Sequence, residues 1–119
     1  MPTTATNVRI NELLEYVQNG KILEAMDEFY ADHVVMTEPA HATEGLAANI
    51  EREKQFLASV KEWKGFEVKA LATTDDVSIY ENVMDWVDTD GNDIHLEQVA
   101  VARWENGKIV SERFYYATS

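Results

Sequence analysis

The chain has 119 residues, 45% of them hydrophobic, which suits a single domain over residues 1–119 with one core and no room for a second folded unit. A formal net charge of −12 sets the summed field against phosphate backbones and anionic lipid, so neither nucleic acid nor a membrane surface is expected as a partner. No cysteine is present, which removes disulfides, thiolate zinc sites and cysteine nucleophiles and permits a cytoplasmic address.

The opening residues Met1 to Thr6 lack the basic and apolar regions of a signal peptide, and no apolar run reaches spanning length, so a soluble chain with residues 1–6 flexible is expected. From Asn7 to Gln18 the apolar residues Ile10, Leu13, Leu14 and Val17 repeat at helical spacing, with Thr6 or Asn7 as cap and Asn19-Gly20 as stop. A second amphipathic helix is predicted from Lys21 to Tyr30, through Ile22, Leu23, Met26, Phe29 and Tyr30. His33 to Glu38 reads as a short extended segment ended by Pro39, and Ala40 to Gly45 as loop. Thr43 can cap a third helix that carries Leu46, Ile50, Leu57 and Val60 on its apolar stripe. Its charge gathers on Glu51, Arg52, Glu53 and Lys54, and its end is expected near Trp63-Lys64-Gly65.

After Gly65 the period changes to two. Four strands are predicted, Phe66 to Thr73, Val77 to Val87, Ile94 to Trp104 and Ile109 to Ala117, separated by Asp75-Asp76, Asp90-Gly91 and Asn106-Gly107. Helices first and a meander after them indicate an α+β fold with an antiparallel sheet covered on one face by helices. Two-residue turns at Asn106-Gly107 and Asp90-Gly91 would gather Tyr80, Asn82, Met84, Trp86, His95, Glu97, Val99, Val101, Glu112, Phe114 and Tyr116 on one face. Ala100, Ala102, Trp104, Ile109 and Tyr115 would share the other, an apolar outer surface that predicts a homodimer; a bulge in either hairpin would exchange faces.

Two N-terminal helices, Glu38 ending a short strand, Thr43-Glu44-Gly45 opening a third helix, and the hairpin Glu105 to Tyr116 together resemble the SnoaL-like branch of the nuclear-transport-factor-2-like superfamily along nearly the whole chain. The resemblance implies a cone-shaped fold, three helices on a strongly curved mixed or antiparallel sheet that encloses a pocket. It also implies a choice among polyketide cyclases, ketosteroid isomerases, hydrolases, dehydratases and binding proteins without activity, which fold alone does not make. In active members an acidic residue deep in the cone, often an Asp on the last strand, serves as general acid or base. This chain has Phe114 at that place, and Glu112, two residues earlier on the same face, is the nearest substitute.

Glu112 and Glu97 are thus the candidate acid/base carboxyls, since desolvation raises a carboxyl pKa toward neutrality. The alternative is that one of them pairs with Arg103 or reaches solvent at the rim. Tyr116 and His41 are the candidate assistants, and Glu38, Tyr80, Asn82, Met84, Trp86 and Phe114 the candidate lining of a site for a small hydrophobic molecule. The same aromatics also read as plain core. The three histidines are too scattered to specify a metal, no glycine loop for phosphate is present, and no cofactor is expected. Two functions stand side by side: a cofactor-free cyclase, isomerase or hydratase, and a ligand-binding or structural dimeric module.

Overall fold

In the computed structural model, which describes residues 2–117, helix α1 spans Pro2–Gln18 and helix α2 spans Ile22–Phe29. Helix α1 begins ahead of Asn7, so Thr6 lies within it instead of capping it; the Thr6 hydroxyl donates to the Asp75 carbonyl at 2.7 Å and fastens the helix to a sheet turn. Met1, the start of the expected flexible lead, lies outside the described residues. Gly20 takes a φ of 75°, and the bonds Gly20 N to Val17 O and Lys21 N to Tyr16 O close α1 in a left-handed C-cap. Ile10, Leu13, Leu14, Ala25, Met26 and Phe29 are all buried, and burying a ring such as Phe29 contributes about 2–3 kcal/mol.

The chain leaves α2 at Phe29 and becomes strand β1 (Tyr30–Glu38) without a loop, so Tyr30 starts a strand where a helix end was expected. The predicted loop after Pro39 is instead mostly strand β2 (His41–Glu44), which folds back on β1 with Glu38 opposite His41 and Val35 opposite Glu44. Helix α3 (Leu46–Ala58) follows Gly45, whose φ of 95° suits glycine; Thr43 does not cap it. The buried Asn49 side chain instead ties the first turn of α3 to the preceding segment, donating Nδ2 to the Thr43 and Gly45 carbonyls. Trp63 to Gly65 lie not at the end of α3 but within strand β3 (Val60–Thr73), because the helix stops at Ala58 and Val60 already pairs with Asp88. Strands β4 (Val77–Asp88), β5 (Asp93–Glu105) and β6 (Lys108–Tyr115) complete the chain.

Among the described residues the sheet has six strands in the order β2-β1-β6-β5-β4-β3, with β1 and β6 parallel and every other pair antiparallel. This is an α+β fold with a mixed sheet, not closed, coned around three helices. The core joins α1 and α2 to Tyr80, Ala100, Ala102, Trp104 and Ile109 of the sheet's inner face. Among the described residues no helix is long and apolar enough to cross a membrane.

Two one-residue shifts correct the expected faces. At the β4–β5 turn the Asp88 carboxylate accepts the backbone N–H groups of Asp90 and Asn92, lengthening the connection so that Trp86 pairs with Ile94 and Tyr80 with Ala100. The β5–β6 hairpin starts as predicted, with Glu105 opposite Lys108 and positive φ at Asn106 and Gly107, but a bulge then sets Ala102 against Glu112 and Ala100 against Phe114. Between β4 and β6 the shifts add to two residues, which restores the face, so β5 alone is inverted. His95, Glu97, Val99 and Val101 therefore face outward, while Ala100, Ala102 and Trp104 face the helices. The dimer surface expected at Ala100, Ala102, Trp104 and Ile109 is core; of that set Tyr115 alone is exposed.

Candidate functional site

Glu112 sits on β6 between Met36 of β1 and Ala102 of β5, on the face that looks into the helices. Only 2% of it is exposed. The neighbouring sheet rows bring Tyr80, Ala100 and Phe114 beside it, and Tyr30, set at the corner where α2 turns into β1, donates its hydroxyl to Glu112 Oε1. An ionised carboxylate surrounded by such side chains has lost its hydration. Burial accordingly raises the Glu112 pKa to about 7; the Tyr30 hydrogen bond works the other way and the charge of Glu53 adds to the rise. The Tyr30 and Tyr80 phenols are pushed up in turn, chiefly by burial and then by the Glu112 charge, so both remain protonated donors at neutral pH.

A second group gathers at the C-terminal ends of β1 and β6. Tyr116 donates to Glu38 Oε1 at 2.5 Å, Arg52 of α3 donates Nη2 to Glu38 Oε2 at 3.0 Å, and His41 Nε2 lies 4.0 Å from the same oxygen. Burial would raise the Glu38 pKa, but the bonds from Tyr116 and Arg52 outweigh it and hold the carboxyl below its ordinary range. Tyr116 is pushed up to about 12 by burial and by Glu38.

Asn82 and Met84 face inward along β4. Gln98 donates to Asn82 Oδ1 at 3.2 Å, and the fully buried Asn82 is left with an Nδ2 that has no partner among the described residues. Trp86 joins Phe56 of α3, edge-on at 5.3 Å between ring centroids, and Trp63 of β3, tilted at 5.7 Å, in an aromatic cluster. Glu97 is not part of this interior: its side chain is 73% exposed on the outer face and bonds to His95. Among the described residues no group of three His, Asp or Glu side chains could hold a metal ion.

Two interior residues escaped the sequence reading. The apolar spacing places Tyr30 at the end of a helix, and only its nearness to Val34-Val35, beginning four residues further on, points to a strand. Glu53 was assigned to the charged face of α3, yet it stands four residues after buried Asn49 and three before Phe56, on the packed stripe.

No curated protein matches the chain by sequence. Among solved structures, a candidate SnoaL-like polyketide cyclase from Mesorhizobium loti superposes with a TM-score of 0.80 at 22% identity, over 93% of this chain and 98% of that one. An NTF2-like protein of unknown function from Burkholderia pseudomallei gives 0.83 at 16% identity, over 95% and 91%. A candidate isomerase from Rhodopseudomonas palustris gives 0.73 at 16% identity, over 89% and 84%. At these identities the likeness is one of fold. The SnoaL-like domain profile matches residues 3–116, and with that span, the inward Glu112 and the coned sheet, the chain belongs to the SnoaL-like family.

Proposed function

We propose that the protein is a cofactor-free enzyme of the cyclase, isomerase or hydratase kind, acting on a small hydrophobic carbonyl compound with Glu112 as general acid or base. The observation that carries this reading is a carboxyl 2% exposed in an apolar core whose pKa lies at about 7, where it gives or takes a proton with little bias at neutral pH. Tyr30 occupies Oε1 and so orients the carboxyl, leaving Oε2 for the reacting proton. The protonated Tyr80 phenol and the unpartnered Asn82 Nδ2 are donors for a substrate oxygen; a buried amide without a partner is a defect in a packed core and an asset in a binding site. Met84, Trp86 and Phe114 supply apolar lining, and Tyr116, Glu38 and His41 border the entrance. Replacing Glu112 by Gln, which keeps the shape and removes the titration, lowers turnover on such a substrate by about 10²- to 10⁴-fold. Unchanged turnover contradicts the assignment.

A second reading, a small-ligand-binding or structural module, has its own support: the Tyr30 bond satisfies Glu112 within the fold, as a purely structural buried carboxyl also requires. Ligand binding that survives Glu112→Gln, with no turnover by either protein, favours it.

The outer face supplies the surface for a cytoplasmic homodimer. Ile79 is 39% and Tyr115 49% exposed, and Val83, Val99 and Val101 lie on the same side. Sedimentation at micromolar concentration is expected to give twice the 13.5 kDa chain mass, and the monomer mass rules the dimer out.

A further inference from the structure

Asn82 of β4 and Gln98 of β5 are sheet partners on the inner face, one side-chain row beyond Tyr80 and Ala100 and two rows from Glu112. Both are amides, with a donor at one end and an acceptor at the other, so what the pair offers a ligand depends on which way each is turned. The bond between them does not choose, because turning both amides over exchanges donor and acceptor and keeps it. Met84 does choose. Gln98 Nε2 lies 3.2 Å from Asn82 Oδ1 and 3.5 Å from Met84 Sδ. A thioether sulfur accepts, weakly, and never donates, so the amino end of Gln98 belongs beside it; the carbonyl end would set an oxygen against its lone pairs. With Gln98 so fixed, Asn82 receives through Oδ1, and its Nδ2 is turned away from Gln98. That Nδ2 is fully buried and has no partner among the described residues. A buried donor without an acceptor is a standing cost to folding, and Leu would fill the same space without it.

We propose that Met84 and Gln98 are positioning residues that hold the Asn82 amide with its donor toward the ligand, so that the site selects compounds carrying an acceptor oxygen. This rests on the reading of the interior as a site for a small hydrophobic carbonyl compound, and adds to it the residues that set its selectivity. The chain of causes runs in one direction: the sulfur fixes Gln98, Gln98 occupies the Asn82 acceptor, and the Asn82 donor is what remains. A carbonyl oxygen gives Nδ2 the partner it lacks in the fold. A compound of the same shape without that oxygen leaves Nδ2 as it was, and a site built around a hydrogen bond discriminates against such an analogue more sharply than an apolar pocket can. Gln98 and Met84 act only through Asn82, so their replacement changes the affinity for the oxygen and not for the hydrocarbon body.

The test uses the full chain and two probes, cyclohexanone and methylenecyclohexane, which share a ring and differ in the acceptor oxygen. In the ligand-free wild type, NMR is expected to show NOEs from the Gln98 Nε2 protons to the Met84 methyl group, and their absence overturns the orientation before any probe is added. Dissociation constants are then compared. Met84→Leu keeps the volume and removes the sulfur, so both amide orientations are populated and cyclohexanone binds about twofold more weakly. Gln98→Glu, ionised at about pH 8, accepts only and draws Nδ2 to itself, weakening cyclohexanone by about fivefold to tenfold. Methylenecyclohexane is expected to bind all three proteins alike. Equal losses for both probes, or none for cyclohexanone, overturn the positioning role and leave the Glu112 reading standing; Met84→Leu and the NOEs decide this even if Gln98→Glu does not fold. Failure of both probes to bind wild type removes the carbonyl-compound reading itself, and the selectivity with it.

Discussion

Two carboxylate groups of the sheet, those of Glu112 and of Asp85 with Glu97, lie on opposite faces and behave in opposite ways. Outside, His95 stands 2.6 Å from Asp85 and 2.9 Å from Glu97, three side chains that are 54%, 44% and 73% exposed. Inside, Glu112 has one neutral hydrogen-bond partner, Tyr30, and almost no contact with water. By residue type the outer group looks the more catalytic, since it holds a histidine between two acids. Water makes the difference. Exposed charges are solvated whether or not they pair, so their proximity changes little, whereas in the core the protonation state of one carboxyl alters the stability of the whole domain.

That contrast is broken or sharpened most strongly by stability against pH. The Glu112 pKa is about 7 in the folded protein against 4.5 for the free group, so between those values the folded state holds a proton that the unfolded state releases. Stability from this group is thus fully present below pH 4.5 and falls as pH rises toward 7, by about 3 kcal/mol in total. Glu112→Gln cannot release the proton, so its urea-unfolding free energy is expected to be flatter across that window; an equal fall in both proteins shows that Glu112 is not the source.

Next in size is Tyr30→Phe. It removes the hydrogen bond that Glu112 Oε1 accepts and leaves a buried acceptor unsatisfied, a cost of about 1–3 kcal/mol in denaturant unfolding. Because that bond favours the ionised form, the Glu112 midpoint moves further up in the variant. No loss of stability and no upward shift would mean that Tyr30 does not hold the carboxyl.

The smallest effect is expected outside. His95 is raised by its bonds to Glu97 and Asp85, so any stability it lends is present at pH below its free value and lost as pH rises through the raised one. With both partners solvated, His95→Gln is expected to leave unfolding curves nearly superposable on wild type and the Glu112 titration untouched. A large loss would erase the distinction between the two faces.

The architecture was legible because it rests on period and punctuation: the apolar spacing around Ile10, Leu13 and Leu14, the change of period after Gly65, and the hairpin at Asn106-Gly107. The faces were legible only in part. A side-chain capped turn at Asp88 and a bulge after Ile109 each add one residue, and neither leaves a mark in the hydrophobic pattern. Glu112 kept its predicted side because the two shifts add to two residues, whereas Glu97, one strand away, is moved by one and did not. Tyr30 and Glu53 went unseen for a different reason: each belongs to the interior through packing between elements distant in sequence, and neighbouring residues hide it, helix α2 in one case and a run of charges in the other.

The central claim is that Glu112 is a desolvated carboxyl poised for proton exchange. The most direct measurement is the midpoint of its carboxyl ¹³C titration in the wild-type protein, assigned by its disappearance in Glu112→Gln. A midpoint near 7 is the result expected, and a midpoint at the ordinary value of 4.5 contradicts it, since a carboxyl that ionises there is solvated and the core around it is not as described.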